Sequence, residues 1–568
     1  MFITLPKTSV ELLTWDWPQF EPLACDLQER PLTADSLGEW LQDWSDFSAA
    51  LLELYNRLYV ATSIDTSDSA AEEAYTHYIE AIFPKSMETE QALKQKLLES
   101  GLEPRGFETA LRNLRAAADL FRPQNLPLLA EEQKLSNAFE KITGSQTVVW
   151  EGEERTVIQL RPLVQDPDRS RREEVWRLAL KRQLVDRGLL NDLWTRFLDV
   201  RRQIAANAGR PDYRAYRWQQ LLRFDYTPED CRRFHQAIED VAVPAAGRIY
   251  ERRRQRLGVS SLRPWDLDVD PLNRPPLRPY QTIAELIAKT GAIFRQVDPQ
   301  LGEYFQIMVR AGLLDLDNRK NKAPGGYCTD FSAVRQPFIF MNGVGLQDDV
   351  QTLLHEGGHA FHVFEPQSIR LIQQLQVTME FAEVASMSME LLAAPYLESR
   401  FGGFYSAKDA ARAQIEHLES NIMFWPYMAV VDAFQHWVYE TPAEAGDPAC
   451  CDAIWERLWD RFMPGVDWGG LEEERMTGWH RKLHIFTVPF YYVEYGLAQL
   501  GAVQIWRNSL KDEPEAVRRY RQALALGGTV PLPQLYQAAG ARLAFDRETL
   551  AEAVDLMEGR ILELEEQD

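Results

Sequence analysis

His355-Glu356-Gly357-Gly358-His359, set between Asp348-Asp349 and Pro366, is the stretch from which the rest of the chain is read. Apolar residues recur at Val350, Leu353, Leu354, Phe361 and Val363, which is helical spacing. The two aspartates suit the first turn, by capping or by meeting the positive end of the helix dipole. Pro366 ends the helix, because the residue before a proline is pushed out of the α region. His355 and His359 then stand at i and i+4 on one face, where two imidazoles can share one tetrahedral Zn2+. Glu356 is rotated about 100° from His355, so it reaches a water on the metal as a base without being a ligand. Histidine is scarce, nine residues in 568, and chance gives this pattern in roughly one such chain per hundred. Gly357 and Gly358 each cost a helix interior up to about 1 kcal/mol against Ala. Their presence implies the close approach of another backbone or of a substrate.

Two histidines leave a metal short of a third protein ligand. Downstream, Thr378 to Glu390 has helical composition, with Glu380, Glu383 and Glu390 on nearly one face at i, i+3 and i+10. Phe381, Val384, Ala385, Met387, Leu391 and Leu392 surround that face. Carboxylates against an apolar face need a partner, and a cation is a good one. Glu383 is the expected ligand. Glu380 and Glu390 are left between a supporting role beside the metal and solvated helix positions.

Outward from this motif the chain reads as helix almost throughout. Residues 36–60, 69–99 and 104–122 carry apolar residues three and four apart, and helices resume over 172–208 and 228–257. One hairpin is expected, with Thr147–Trp150 and Thr156–Leu160 flanking a turn at 151–154. One further strand is expected at 336–342. A proline-rich stretch at 258–280 reads as an ordered surface connection, and a soft boundary falls near 165–185. The expected domains are an N-terminal helical one, 1–180, and a catalytic one, 181–568.

Composition excludes other classes. The chain is 45% apolar and 26% charged, which is globular rather than disordered or fibrous. Net charge is −23, from 85 acidic and 62 basic residues; such a surface repels nucleic acid and anionic lipid. The basic clusters Arg169–Arg172 and Arg252–Arg256 are read as solvated helix faces. Five cysteines without C-x-x-C spacing read as free thiols in a reducing compartment. The N-terminus has no signal-peptide pattern and no stretch reaches a membrane span. The expectation is a cytoplasmic protein with no nucleic-acid or membrane partner.

His355-Glu356-Gly357-Gly358-His359-Ala360-Phe361-His362, followed 24 residues after His359 by Glu383 in Phe-Ala-Glu-Val-Ala-Ser, resembles the M3 family of zinc oligopeptidases, on the oligoendopeptidase F branch. The likeness is strongest over 200–505 and extends to Lys322–Tyr327 and the strand at 336–342. It implies a mainly α fold, a helical ellipsoid with a deep substrate channel and a few short β-strands near the zinc site. It implies one Zn2+ per chain, held by His355, His359 and Glu383, with Glu356 as general base. It implies oligopeptide substrates, cleaved internally. A further block, Leu483-His484 to Tyr495, matches the family's substrate-binding segment and makes His484, Tyr492 and Tyr495, then Tyr491, the oxyanion candidates. Proline and valine stand where the thimet-like branch has its first tyrosine, so the division of labour in this block stays open. Tyr492 and Tyr495 sit three apart, on one helical face, and phenol O–H groups can donate to an oxyanion. Gly469, Gly470 and Gly478 precede the block and read either as a loop that closes over substrate or as ordinary turns. The strand at 336–342 is expected to pair with an extended substrate. The competing readings are a metallocarboxypeptidase or dipeptidyl carboxypeptidase, for which no carboxylate-binding Arg or Lys declares itself, and a zinc-stabilised binding protein, which would have no use for Glu356.

Overall fold

Apolar spacing of three and four residues becomes helix over most of the chain, 70% in all. The computed structural model describes residues 5, 6, 8–319, 321–323 and 325–566. The first four residues, Pro324 of the 322–327 segment and the last two residues lie outside that set. The expected helices are Leu37–Ile64, Ser69–His77 continued through a π-helical turn into Phe83–Ser100, Glu108–Leu120, Arg169–Val185, Arg187–Asn207 and Pro228–Leu257. No helix among the described residues is long and apolar enough to cross a membrane.

Contacts group the chain into two compact units, each drawn from three stretches. The first holds 1–121, 278–413 and 498–543; the second holds 122–277, 414–497 and 544–568.

In the first unit, Trp40, Trp44, Phe20 and Phe47 are fully buried in one core. Its three-stranded sheet is formed by β3 (Leu314–Asp317), β4 (Tyr327–Phe331) and β5 (Gln336–Gly343). Only β5 stood out in the sequence, as the most apolar of the three. It is the central strand, parallel to β3 and antiparallel to β4. Both its edges are occupied, so it cannot be the strand that takes a substrate; the sheet's edges are β3 and β4. Lys322 ties β3 to β5: its buried ammonium donates to Asp315 Oδ1 (2.7 Å), Asp317 O (2.8 Å) and Met341 O (2.6 Å).

The second unit carries the hairpin, β1 (Thr147–Trp150) and β2 (Glu153–Thr156). The turn is shorter than expected. Glu151 (φ 52°) and Gly152 (φ 85°) both lie in the left-handed region, which closes a two-residue hairpin matched to strand twist. The second strand therefore starts three residues early, and Ile158–Gln165 is 3-10 helix instead of strand. The reading of the basic clusters is corrected at three arginines. Arg172 is 3% exposed and, with Arg169, holds the fully buried Asp266 at 3.0 and 2.7 Å. Arg253 donates to Asp266 O and Val269 O. A buried carboxylate and buried carbonyls need donors, so these arginines fasten the 258–280 connection.

Candidate metal centre and a histidine–tyrosine block

The helix Gln347–Phe364 carries both histidines of the motif. Its start is fixed by Asp349, whose Oδ2 accepts from Val344 N (2.9 Å), Leu346 N (2.8 Å) and Tyr280 OH (2.6 Å). The bond from Leu346 N, at the N-cap, satisfies a donor that a helix start leaves without a partner. A second helix, Met379–Ala393, carries the glutamates. The two helices meet at Gly358. A Cβ there would lie 2.5 Å from Ala385 O and 2.6 Å from Ser386 Cα, so only glycine permits this backbone approach. Gly357 makes room for a ring: a Cβ there would lie 2.4 Å from Phe294 Cζ. Tyr520 OH donates to Ala385 O (2.8 Å) and holds the glutamate helix at the crossing.

The crossing brings donor atoms of His355, His359 and Glu383 within 4.8 Å of one another. Glu383 Oε2 stands 3.3 Å from His355 Nε2 and 3.5 Å from His359 Nε2. Ligands about 2.0–2.2 Å from an ion at the tetrahedral angle stand about 3.3–3.6 Å apart, so the donor set fits a zinc-sized ion. The histidine side chains are 23% and 19% exposed while Glu383 is 4% exposed. The group is thus open on the histidine side. Ser386 Oγ, 2.9 Å from Glu383 Oε2, can donate to that carboxylate. Glu390 Oε1 is 2.7 Å from His355 Nδ1, which fixes the ring's orientation and leaves Nε2 to face the group. Glu380 is fully buried in the first turn of the same helix, outside the group of three.

Electrostatics follow from burial and neighbours. Burial alone would push the His355 imidazolium down, but Glu383 and Glu390 outweigh it and hold its pKa well above the usual value. Burial likewise acts to raise Glu383, and His359 and His355 hold it well below the usual range. Glu356 is pushed up, chiefly by burial. His362, on the same helix, is pushed down to about 3 by burial and stays neutral. Strand β4 lies beside the motif: the Cys328 thiol is pushed up by burial and then by the charge of Glu356.

His484, Tyr491, Tyr492 and Tyr495 form an aromatic cluster within the second unit. The His484 ring lies 5.0 Å from Tyr492 and 5.9 Å from both Tyr491 and Tyr495. Tyr492 and Tyr495 stand on the helix Tyr492–Ser509, with ring centroids 5.7 Å apart. Tyr492 is buried, and its oxygen accepts from Lys482 Nζ at 2.8 Å. Its own O–H proton remains available to donate. Lys482 is pushed down to about 8 by burial. Tyr491 and Tyr495 are half-buried.

Residues far away in sequence hold this block, and no local pattern announced them. Arg201 donates to Ile485 O and Phe486 O, Arg217 to Pro489 O, and Arg223 to Phe490 O and Glu494 Oε1. Phe490 N donates to Gln435 Oε1 (2.7 Å). These partners hold Phe490 at φ 65°, a conformation that costs a bulky residue roughly 1–3 kcal/mol. Gly478 packs under an indole, since a Cβ there would lie 2.4 Å from Trp455 Nε1.

Residues 163–555 match the model of peptidase family M3. Oligopeptidase PepF of Bacillus subtilis (strain 168) is 24% identical over 274 residues, 47% of this chain and 39% of that protein. The oligoendopeptidase F homologue of Borreliella burgdorferi is 22% identical over 334 residues, 57% of this chain and 54% of that protein. The chain thus spans about half or less of the relatives it matches. The structure of PZ peptidase A with inhibitor 2 superposes with a TM-score of 0.89 at 28% identity, over 100% of this chain and 99% of that one. A structure provisionally assigned as oligoendopeptidase F gives 0.88 at 27%, over 98% of each chain. A family match over more than half the chain, carried on the same mainly α fold, means that this protein belongs to peptidase family M3, on the oligoendopeptidase F branch.

Proposed function

We propose that this chain is a zinc metalloendopeptidase that hydrolyses internal bonds of short, unstructured oligopeptides. The observation that carries the reading is the Glu383 carboxylate, 3.3 and 3.5 Å from the two imidazole Nε2 atoms, with Glu356 buried beside them. His355, His359 and Glu383 would hold the ion. Zinc bound there supplies Lewis acidity, polarising a carbonyl and lowering the pKa of a water. Glu356 accepts the proton of the attacking water and delivers it to the leaving amine nitrogen. Burial pushes its pKa up, and a stronger base accepts a proton more readily. Glu390 holds the His355 ring through Nδ1. By resemblance to the family, the oxyanion donors are His484, Tyr492 and Tyr495, then Tyr491. Strand β4, an edge strand beside Glu356, takes the substrate as an added strand.

The test is mass spectrometry of the products from a mixed peptide library, with and without a chelator and with zinc restored. Internal cleavage that includes C-terminally amidated peptides, lost with the chelator and regained with zinc, is expected. Cleavage confined to peptides with a free C-terminal carboxylate would make the protein a carboxypeptidase instead, and cleavage indifferent to the chelator would remove the metal from the account.

A further inference from the structure

The spacing of the His355/His359 pair recurs twice in the second unit, on two helices that face each other. Cys231 and His235 stand one turn apart on Pro228–Leu257, and Asp432 and His436 stand one turn apart on Ala407–Glu440. Cys231 and Asp432 are fully buried, and His436 and His235 are 4% and 5% exposed. Donor atoms of Cys231, Asp432 and His436 all lie within 4.8 Å of one another. His436 Nε2 is 3.3 Å from Asp432 Oδ2, the same separation as His355 Nε2 to Glu383 Oε2 and the edge of a tetrahedron about an ion of zinc size. Asp432 Oδ1 is inaccessible and has no hydrogen-bond partner among the described residues. A fully buried carboxylate with an oxygen left over is expensive unless a cation completes it. His235 Nε2 is 2.8 Å from Asp432 Oδ2, a hydrogen bond that orients the carboxylate as Glu390 orients His355.

We propose that Cys231, Asp432 and His436 form a second metal site, which takes a divalent cation of the zinc class and is structural in role. Thiolate, imidazole and carboxylate together select zinc over magnesium or calcium, which prefer all-oxygen sites. Burial closes the site to substrate, and its ligands join two helices, Cys231 and Asp432 lying 201 residues apart in sequence. A cation here pins Pro228–Leu257 to Ala407–Glu440 inside the unit. The alternative arrangement has no metal. Arg214, ion-paired with Glu440, lies 3.3 Å from His436 Nδ1. If Nδ1 accepts from Arg214, the neutral ring carries its proton on Nε2 and aims it at Asp432, giving a purely hydrogen-bonded triad.

The full-length protein distinguishes the two, independently of the proposed activity. The His355→Ala/His359→Ala variant, loaded with zinc and freed of excess, is expected to retain one zinc per chain against two in the wild type. Loaded with Co2+, the same variant is expected to show the near-ultraviolet thiolate-to-cobalt charge-transfer band of a cysteine ligand. Adding Cys231→Ser is expected to remove both the band and the remaining zinc. No retained metal and no band in the double variant, or a band that survives Cys231→Ser, overturns the proposal. Because the band is read first with Cys231 intact, the proposal stands or falls even if the triple variant does not fold.

Discussion

The candidate metal centre and the histidine–tyrosine block are built on different physical terms. The metal centre is set by one backbone crossing: glycine at 358 lets two helices approach until side chains one turn apart on the first meet a carboxylate on the second. The block at 483–495 is set by long buried side chains, with Arg201, Arg217, Arg223 and Gln435 reaching its carbonyls and amides from over 50 residues away or more. A crossing of regular helices is stiff and positions ligands without further help. A segment held at strained φ by separate hydrogen bonds is positioned only as well as each of its partners. Metal ligation suits the first arrangement. The second would suit the oxyanion role proposed for this block.

The largest effect that tests this contrast lies in the block. If Tyr495 meets the oxyanion, Tyr495→Phe lowers kcat by about 10²–10³-fold with KM and zinc content little changed, read by steady-state kinetics on a quenched fluorescent peptide. Tyr492→Phe should behave differently, because Lys482 loses its acceptor. It lowers the melting temperature as well, because the half-buried Lys482 ammonium is left without that acceptor. Equal, wild-type turnover in both variants would pass the role to His484 or Tyr491.

That difference also explains what the sequence could disclose. Helical spacing, the one-turn separation of His355 and His359, and a downstream glutamate helix are all local patterns, and a pass along the chain reads them. The two adjacent glycines implied a close approach, and the partner proved to be the Ala385–Ser386 backbone for one and the Phe294 ring for the other. The hairpin turn was misplaced because Thr156-Val157-Ile158 is β-branched, whereas the deciding signal was Glu151-Gly152. The strand expected at 336–342 was assigned to substrate pairing as an exposed edge, but apolarity on both faces is what a central strand needs. Arg172, Arg201 and Arg223 were illegible for a different reason: a buried arginine is recognised by the carboxylate or carbonyl it meets, and that partner lies elsewhere in the chain.

At the metal centre the next effect is smaller. Glu390→Gln keeps the shape but weakens the group that orients His355. Zinc affinity or activity should fall about 10–100-fold, measured by competition with a fluorescent chelator. Unchanged affinity would mean that the helix crossing alone sets the ring.

The crossing itself can be probed at constant chemistry. Gly358→Ala places a methyl group against the Ala385 carbonyl, and overpacking of this kind costs roughly 1–3 kcal/mol. A lower melting temperature and weaker zinc binding are expected together. Gly559→Ala is the control, in a helix where an added Cβ meets nothing within 4 Å, and it should stabilise by up to about 1 kcal/mol. The same sign of change at both positions would break the claim that Gly358 serves a close approach.

The central claim is that His355, His359 and Glu383 hold the ion while Glu356 moves the proton. Glu356→Gln separates these roles, because the amide keeps the side chain's size and removes its basicity. Zinc content per chain and kcat on one peptide substrate, measured on the same preparation, decide it. The account predicts zinc retained as in the wild type and kcat reduced by at least about 10²–10⁴-fold. Zinc retained with kcat close to the wild-type value would contradict it.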